Sequence, residues 1–233
     1  MKFDKSDKIY VAGHKGLVGS SLLRQLSKQK YTNVIFKTHD ELNLENKDDV
    51  EDFFYTEKPK IVFLAAAKVG GIVANNNFPV DFLMTNLSIQ SNVINACFKT
   101  NVERLIFLGS SCIYPKNCPQ PIKEDYLLTS QLEPTNRPYA LAKIAGIEMC
   151  WAYNRQYNTK YLSVMPSNLY GLNDNYDLEN SHLIPGLIRK IHMASIANID
   201  KVVIWGTGSP RREFLFSDDL SKALVDLMQL DDR

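Results

Sequence analysis

Short apolar runs alternate with amphipathic segments from the start of this chain to about residue 165. Each run is bounded by glycine, proline or polar residues and is too short for a typical helix, so it indicates a buried strand. Because strands that are apolar on both faces need cover on both sides, the alternation predicts an α/β fold with a doubly wound parallel sheet. The predicted strands are 8–12, 34–36, 61–64, 105–109 and 161–165, and the predicted helices are 17–29, 47–55, 82–99 and 139–157.

The composition describes an ordinary globular protein without a charge bias. Its 233 residues are 45% hydrophobic and 23% charged, with a net charge of +1. A balanced charge gives no reason to expect nucleic acid or an anionic membrane as partner. No apolar run approaches the roughly 18 residues of a membrane-spanning helix, and the polar N-terminus lacks the apolar core of a signal peptide. We therefore expect a cytoplasmic protein that binds neither nucleic acid nor membrane.

The cysteines do not predict a metal site or a disulfide. Cys97, Cys112, Cys118 and Cys150 form no CxxC pair and have no metal-ligand spacing with the scattered histidines. Reduced cytoplasmic thiols are the expected state, and no metal ion is predicted.

A glycine-rich turn joins the first predicted strand to the first predicted helix. Its glycines follow the spacing G-x2-G-x2-G, whereas the standard dinucleotide fingerprint is G-x-G-x2-G. Glycines permit a close approach of backbone to a pyrophosphate, and a helix N-terminus offers free N–H groups. A glycine triplet alone is more often an ordinary turn, but its place after the first strand of a βαβ unit favours dinucleotide binding. The candidate residues are Gly13, His14, Lys15, Gly16, Leu17, Val18 and Gly19.

Residues near the end of the second strand bear on the choice between NAD and NADP. An NAD enzyme places an acid there that binds the ribose 2′-hydroxyl. In this chain Lys37 stands at the strand end and Lys15 lies in the glycine turn. Two cations suit a 2′-phosphate, so the sequence favours NADP. In the alternative interpretation, Lys37 is a solvated surface lysine and Asp40 is the acid that binds the ribose of NAD.

Tyr139 and Lys143 are four residues apart in a predicted helix and therefore share one face. A nearby ammonium group favours the phenolate and lowers the pKa of the tyrosine, which can then pass a proton to a carbonyl oxygen. Tyr-x3-Lys alone is common by chance. Ser110, however, follows the fourth predicted strand, at the carboxyl edge where ligands of open α/β sheets bind. With the glycine turn, these three residues indicate a reductase site in a Rossmann-type domain.

Several strings in the chain are longer than these motifs. They are AAAKVGGI at 65–72, GSSCIYP at 109–115, EPTN at 133–136, PYA at 138–140, AKIAG at 142–146 and WGTG at 205–208. Together with the glycine turn and the Ser–Tyr–Lys set, they resemble the GDP-L-fucose synthase family of the extended short-chain dehydrogenase/reductases. The resemblance implies a homodimer that converts GDP-4-keto-6-deoxy-D-mannose to GDP-L-fucose, first by epimerisation at C3 and C5 and then by NADPH-dependent reduction at C4.

The same resemblance implies the catalytic roles. Cys112 is the base and His182 the acid that move protons at C3 and C5, from opposite faces of the sugar. Tyr139 protonates the oxygen at C4, Ser110 orients the carbonyl, and Lys143 lowers the pKa of the tyrosine and holds the nicotinamide ribose. Without the resemblance, Cys112 is interpreted as an inert buried thiol and His182 as a loop histidine that caps a helix.

The resemblance also implies the binding residues. Those on the cofactor are the glycine turn and Lys37, followed by Leu108, Gly109, Ser110, Ser111, Lys143, Pro166, Ser167, Asn168, Leu169 and His182. Those on the GDP moiety of the substrate are Lys190, Trp205 and Arg212. In the alternative interpretation, Arg212 belongs to a solvated basic pair and Trp205 is a core residue.

The pattern loosens after Gly171, which predicts two parts. Residues 1–171 are expected to form the NADP-binding Rossmann domain, and residues 172–233 part of a smaller substrate-binding region. In the second part, 183–194 predicts a helix, 202–205 a strand, and 218–230 a helix whose apolar side packs back on the first domain. Family members continue well beyond this segment, so the resemblance implies that the substrate region is incomplete.

Two other functions stay open from the sequence. One is another enzyme of the extended family, such as a sugar-nucleotide 4-epimerase or dehydratase with bound NAD, although Cys112 and His182 argue against it. The other is a nucleotide-binding protein without catalytic activity, in which the short C-terminal region leaves the GDP pocket open.

Overall fold

The computed structural model describes residues 3–177, 181–204 and 206–230. Its centre is a five-stranded parallel sheet with the strand order β2-β1-β3-β4-β5. These strands are β1 (Ile9–Ala12), β2 (Val34–Ile35), β3 (Ile61–Leu64), β4 (Arg104–Leu108) and β5 (Tyr161–Val164). Helices connect consecutive strands, and the predicted doubly wound parallel sheet is therefore confirmed.

Seven helices accompany the strands in the described part of the chain. They are α1 (Leu17–Lys28), α2 (Lys47–Glu57), α3 (Ile72–Asn77), α4 (Pro79–Lys99), α5 (Arg137–Tyr157), α6 (Leu183–Ile196) and α7 (Ser217–Met228). A second, two-stranded parallel sheet pairs β6 (Asn168–Tyr170) with β7 (Phe214–Phe216).

Alternation along the strands divides the core into two layers. Tyr10, Val62 and Phe107 pack with α2, α4 and α5 on one face of the sheet. Ile9 and Phe63 pack with α1 and α7 on the other face. Because successive side chains of a strand point to opposite faces, a fully apolar strand supplies both layers at once.

Helix α7 belongs to the second layer and brings the two ends of the described chain together. Leu224 is fully buried against α1, and Arg24 of α1 pairs with Asp218 at the start of α7. The backbone N–H of Phe3 donates to Gln229 Oε1 at 2.9 Å, and Gln229 Nε2 donates to the carbonyl of Phe3 at 3.1 Å. The division of the chain at residue 171 stays a prediction.

The predicted strand at 202–205 is wrong for the residues that the structure describes. Residues 202–204 form no strand, and the side chains of Val203 and Ile204 are 77% and 59% exposed. An apolar run becomes a strand only when a neighbouring strand accepts its backbone hydrogen bonds. The paired strands β6 and β7 and the short helix α3 were absent from the sequence prediction.

None of the helices in the described residues is long and apolar enough to cross a membrane. The same residues contain no group of three or more His, Cys, Asp or Glu side chains that could hold a metal ion.

Candidate active site

The glycine turn lies between β1 and α1 and is built for close backbone contact. Gly13 has a φ of +84°, and a Cβ on it would lie 2.7 Å from the backbone nitrogen of Ala66. A Cβ on Gly19 would lie 2.1 Å from the carbonyl oxygen of Gly13. Both positions therefore require glycine, the first also because its conformation is left-handed.

The N-terminus of α1 is open to an anion. Gly16 is the N-cap, no side chain caps the helix, and its first turn carries no acidic residue. The free N–H groups and the helix dipole there favour a phosphate. Strand β1 lies between β2 and β3, so the turn also sits at the point where the strand order reverses, which is where α/β sheets bind their ligands. The turn thus fits the pyrophosphate of a dinucleotide.

Residues at the end of β2 flank this turn. The ring of His14 packs on Phe36 with centroids 4.6 Å apart. Lys37 Nζ lies 3.9 Å from Glu41 Oε1, and the Thr38 backbone N–H donates to Glu41 Oε2, which lowers the pKa of that carboxyl. Lys37 is thus held loosely by a carboxylate on its own loop, and a 2′-phosphate would have to compete with Glu41 for it.

Ser110 and Cys112 form a small hydrogen-bonded unit after β4. Ser110 is the N-cap of a short 3-10 turn over Ser111–Ile113, and its Oγ accepts the backbone N–H of Cys112 at 3.4 Å. The thiol of Cys112 lies 3.1 Å from the same oxygen. Tyr139 lies close enough to Ser110 for this side chain to favour the phenolate. Ser110 thus contacts the candidate base and neighbours the candidate proton donor.

Lys143 lies beneath this group, buried on α5. Its Nζ donates to the carbonyl of Leu108 at 2.8 Å and lies 5.8 Å from the centre of the Tyr139 ring. Burial lowers the pKa of Lys143 to about 8, and the neighbouring Cys112 opposes that shift. The carbonyl at the end of β4 thus holds the ammonium group near the ring of Tyr139.

Burial governs the pKa of Tyr139 in this structure. It raises the pKa of the phenol, Cys112 adds to the increase, and the hydrogen bond to Ser110 opposes it. From the sequence we expected Lys143 to lower the pKa of Tyr139. Burial raises this pKa instead, because desolvation disfavours the phenolate. A neutral hydroxyl is the form that can donate a proton to a carbonyl oxygen.

The thiol of Cys112 is likewise held protonated. Burial raises its pKa, while the hydrogen bond to Ser110 and the charge of Lys143 lower it. The balance favours the thiol in the structure, but the two groups that favour the thiolate are already in place.

Backbone hydrogen bonds set the segment after β5 against this cluster. Gly109 N–H donates to the carbonyl of Val164 at 2.8 Å, and Ser111 N–H donates to that of Pro166 at 3.3 Å. The residues predicted to contact the nicotinamide therefore run alongside Ser110 and Ser111. They are Pro166, Ser167, Asn168 and Leu169.

The remaining predicted site residues lie in the second part of the chain. His182 is exposed at the N-terminus of α6, and its side chain does not cap that helix. Lys190 is half-buried on the same helix. Arg212 is exposed, with Nη1 donating to the carbonyl of Arg211 at 2.7 Å. Trp205 lies outside the described residues.

Two buried amides on α4 support the site and were missed by the sequence analysis. Gln90 Nε2 donates to the carbonyl of Ala142 at 2.6 Å, one residue before Lys143. Asn86 bonds to both backbone groups of Lys68, in the loop after β3. Two amides one helical turn apart in a predicted core helix were the available signal, because buried polar groups need partners.

The fold and this cluster define an extended short-chain dehydrogenase/reductase. Residues 9–233 match the model of the NAD dependent epimerase/dehydratase family, and the chain belongs to that family.

Several members of the family that resemble the chain are named as GDP-sugar enzymes. The chain is 59% identical over 225 residues to putative GDP-L-fucose synthase 2 of Arabidopsis thaliana. This match covers 97% of this chain and 69% of that protein. It is 52% identical over 223 residues to the GDP-L-fucose synthase of Escherichia coli (strain K12), covering 96% and 70% of the two chains. The crystal structure of a GDP-L-fucose synthetase from Naegleria fowleri bound to NADP superposes with a TM-score of 0.90 at 30% identity, covering 98% of this chain and 75% of that one.

Proposed function

We propose that the chain converts GDP-4-keto-6-deoxy-D-mannose to GDP-L-fucose by 3,5-epimerisation followed by NADPH-dependent reduction at C4. The observation that carries the proposal is the cluster of Ser110, Cys112 and Tyr139 around Lys143. In it the Cys112 thiol lies 3.1 Å from Ser110 Oγ, and Lys143 Nζ lies 5.8 Å from the centre of the Tyr139 ring. A reductase needs the serine, tyrosine and lysine, whereas the thiol is an additional group that proton abstraction beside a ketone requires. The similarity to GDP-L-fucose synthases supports the same assignment.

The glycine turn would bind the pyrophosphate of the dinucleotide, since it leads into the N-terminus of α1, which no side chain caps. Lys15 and Lys37 would meet the 2′-phosphate of NADP, and Lys143 the nicotinamide ribose. The segments around Gly109 and Pro166 would line the nicotinamide itself. When bound, the reduced cofactor supplies the hydride that C4 receives.

During reduction, Tyr139 gives its hydroxyl proton to the oxygen at C4. Burial keeps this hydroxyl protonated until that moment, because it disfavours the phenolate. Ser110 holds the carbonyl oxygen beside the tyrosine, and the Lys143 ammonium stabilises the phenolate that remains. One proton and one hydride thus convert the ketone to an alcohol.

During epimerisation, the thiolate of Cys112 removes a proton from the carbon next to the carbonyl, and His182 returns a proton to the opposite face. The negative charge formed on the carbonyl oxygen is stabilised by the same hydroxyls of Ser110 and Tyr139. Cys112 leaves the step as a thiol and His182 as a neutral imidazole, so protons are conserved. Lys143 and Ser110 favour the thiolate that begins it.

The GDP moiety would be held by the second part of the chain. Lys190 and Arg212 offer positive charge to the diphosphate, and Trp205 a ring to the nucleotide. A homodimer is part of the same proposal because the family resemblance implies it, and a cytoplasmic location because of the cysteine pattern and the polar N-terminus.

Two variants test this assignment in the full chain. Tyr139→Phe removes the proton donor, and we expect a roughly 10²–10⁴-fold slower oxidation of NADPH, with deuterium from solvent still entering the sugar at C3 or C5. Cys112→Ser should instead abolish the deuterium incorporation, measured by mass spectrometry without NADPH. Full turnover by Tyr139→Phe, or unchanged exchange by Cys112→Ser, would overturn the assigned roles. NAD found tightly bound in the purified protein would favour a 4-epimerase or dehydratase.

A further inference from the structure

The aromatic ring of Phe82 contacts the ring of Tyr139, and the mechanism above gives it no role. Phe82 lies in the first turn of α4, and only 2% of it is exposed. The two ring centroids are 6.3 Å apart and the ring planes meet at 81°, so the contact is edge to face. Aromatic pairs favour this arrangement because the positive edge of one ring meets the negative face of the other. The contact therefore gives the tyrosine ring a preferred orientation.

The loop after β3 lies against the same phenylalanine ring. A Cβ on Gly70 would lie 3.0 Å from Phe82 Cζ, which is closer than a relaxed contact. Lys68 Nζ lies 5.9 Å from the centre of the Phe82 ring and 3.0 Å from Asp81 Oδ2. The ring therefore has little room to move on the side of this loop.

Asn86 attaches this loop to the turn of α4 that carries Phe82. It follows Phe82 by one helical turn and is almost fully buried. Its Oδ1 accepts the backbone N–H of Lys68 at 3.0 Å. Its Nδ2 donates to the carbonyls of Lys68 at 3.0 Å and of Phe82 at 2.7 Å. Because all three bonds join buried side chain to backbone, the loop and the first turn of α4 are held as one unit.

The position of the Tyr139 hydroxyl depends on the packing of its ring. The hydroxyl stands at the far end of the side chain, so a small change in the torsion about the Cα–Cβ bond moves it sideways. Proton transfer needs the donor and acceptor oxygens within about 2.6–3.2 Å of each other. A displacement of about 1 Å can slow a reaction roughly a hundredfold. A contact that restrains the ring therefore bears directly on the rate of reduction.

We propose that Phe82 is a positioning residue for Tyr139: its packing keeps the tyrosine side chain in the rotamer from which the hydroxyl reaches the oxygen at C4. The inference rests on the proposed function, in which Tyr139 gives its proton to that oxygen. Phe82 adds no chemical step and needs no contact with the sugar. It raises the fraction of time in which the tyrosine is placed to donate.

Phe82→Leu tests the inference because it removes the ring and keeps an apolar side chain. With GDP-4-keto-6-deoxy-D-mannose, we expect the kcat of NADPH oxidation to fall roughly tenfold to a hundredfold. The KM of the sugar nucleotide and the Kd of NADPH, measured by fluorescence titration, should stay within about twofold because neither ligand is held by this ring. An unchanged kcat, or a loss confined to KM, would overturn the inference.

Phe54→Leu is the matched control. Phe54 is fully buried on α2, and its ring meets the ring of Tyr10 at 5.8 Å and 90°, which is the same kind of contact with a tyrosine outside the proposed site. We expect this variant to lose stability as Phe82→Leu does and to keep the kcat of the wild type. An equal loss of kcat in the two variants would mean that kcat reports general loosening of the core, and it would overturn the inference.

A second variant leaves the phenylalanine in place and so covers a failure of Phe82→Leu to fold. In Gly70→Ala the new methyl group would meet Phe82 Cζ at 3.0 Å and Ala74 Cβ at 3.1 Å, so the ring has to shift by a few tenths of an ångström. We expect kcat to fall a few-fold with KM unchanged. In a Tyr139→Phe background, Phe82→Leu should cause no further loss, because its effect passes through the hydroxyl. Losses that multiply would contradict the inference.

A third measurement does not depend on turnover. In protein labelled with ¹³C in the tyrosine rings, the signals of Tyr139 are assigned by their disappearance in Tyr139→Phe, and their exchange reports how fast the ring flips. We expect faster flipping of Tyr139 in Phe82→Leu and an unchanged rate in Phe54→Leu. The same rate in the wild type and Phe82→Leu would overturn the inference. A wild type without NADPH oxidation would refute the proposed function, and the flip rates would still decide whether Phe82 restrains Tyr139.

Discussion

The helix that carries Tyr139 and the helix that follows His182 have opposite surroundings. Helix α5 buries seven of its 21 residues, Lys143 among them. Helix α6 has 14 residues and buries Pro185 alone. Five of its large apolar side chains are instead more than half exposed, namely Leu183, Ile188, Ile191, Met193 and Ile196.

The difference in burial between α5 and α6 indicates which part of the site is rigidly held in the folded chain. Around α5 the proposed reductase residues are held by buried surroundings and by hydrogen bonds to the backbone, such as the bond from Lys143 to the Leu108 carbonyl. Around α6 the predicted substrate residues lie on a surface, and exposed apolar patches of this kind are typical of binding sites and interfaces. Substitutions should therefore affect folding in the first region and leave it nearly unchanged in the second.

The largest effect is expected for Phe107→Ala. This ring is 1% exposed, and it packs so closely that a Cβ on Gly146 would lie 2.4 Å from it. We expect the free energy of unfolding in urea to fall by about 3–5 kcal/mol. The matched control is Ile191→Ala on α6, where the side chain is 55% exposed and the loss should stay within about 0.5 kcal/mol. Equal losses of unfolding free energy in the two variants would contradict the contrast between the buried surroundings of α5 and the exposed face of α6.

Gly19→Ala should give the next largest loss of stability. The new methyl group would meet the backbone of Gly13, which cannot move as a side chain can, so we expect about 1–3 kcal/mol. In Gly16→Ala the nearest atom is 3.5 Å away, which is ordinary contact. Thermal or urea unfolding of the two variants without cofactor makes the test, and a Gly16→Ala loss as large as that of Gly19→Ala would contradict it.

The buried charge of Lys143 should make stability depend on pH. Burial lowers the pKa of this lysine to about 8 in the folded chain, against about 10.4 when unfolded. Between these values the unfolded chain binds the extra proton, so the contribution of this group to stability rises with pH. We expect the wild type to gain roughly 1–3 kcal/mol relative to Lys143→Met between pH 8 and 10.

Taking the difference between the wild type and Lys143→Met cancels the contributions to stability of the buried tyrosines and cysteines that both proteins share. A difference that stays flat over the window would mean that the ammonium of Lys143 is better solvated than the structure indicates.

The smallest effect is expected on the exposed face of α6 and the segment after it. Ile196→Lys and Val203→Lys replace side chains that are 65% and 77% exposed. The free energy of unfolding should change by no more than about 0.5 kcal/mol, while self-association measured by light scattering should decrease. A loss above about 2 kcal/mol would show that this face is packed and would remove the contrast with α5.

The sequence predicted the strands of the large sheet to within one residue at each end. Each strand is a short apolar run next to a residue that breaks regular structure, such as Gly13 after β1 and Pro59 before β3. Because both faces of these strands are buried, every residue of the run is apolar, and the strand can be recognised from its own residues. The cluster was also predictable in outline, because Tyr139 and Lys143 share a helical face and Ser110 follows a strand.

The rest depended on contacts between distant parts of the chain. Strands β6 and β7 lie more than forty residues apart in the sequence and pair with one another. Each is only three residues long, which is too short to show a periodic pattern of apolar residues by itself. Residues 202–204 have a strand-like pattern, yet they pair with no strand in the described part of the chain. The pKa of Tyr139 could not be predicted either, since its direction depends on depth of burial, which spacing along a helix does not report.

The pairing of β6 with β7 has a consequence for how such a protein can diversify. The chain leaves the core after Tyr170 and returns at Phe214, and these departure and return points are side by side in one small sheet. The stretch between them can lengthen, shorten or change its composition without altering the strand order of the large sheet. The proposed substrate residues lie in this stretch, whereas the proposed reductase residues lie before it. Under the proposed function, substrate preference can therefore change while the reductase residues keep their places.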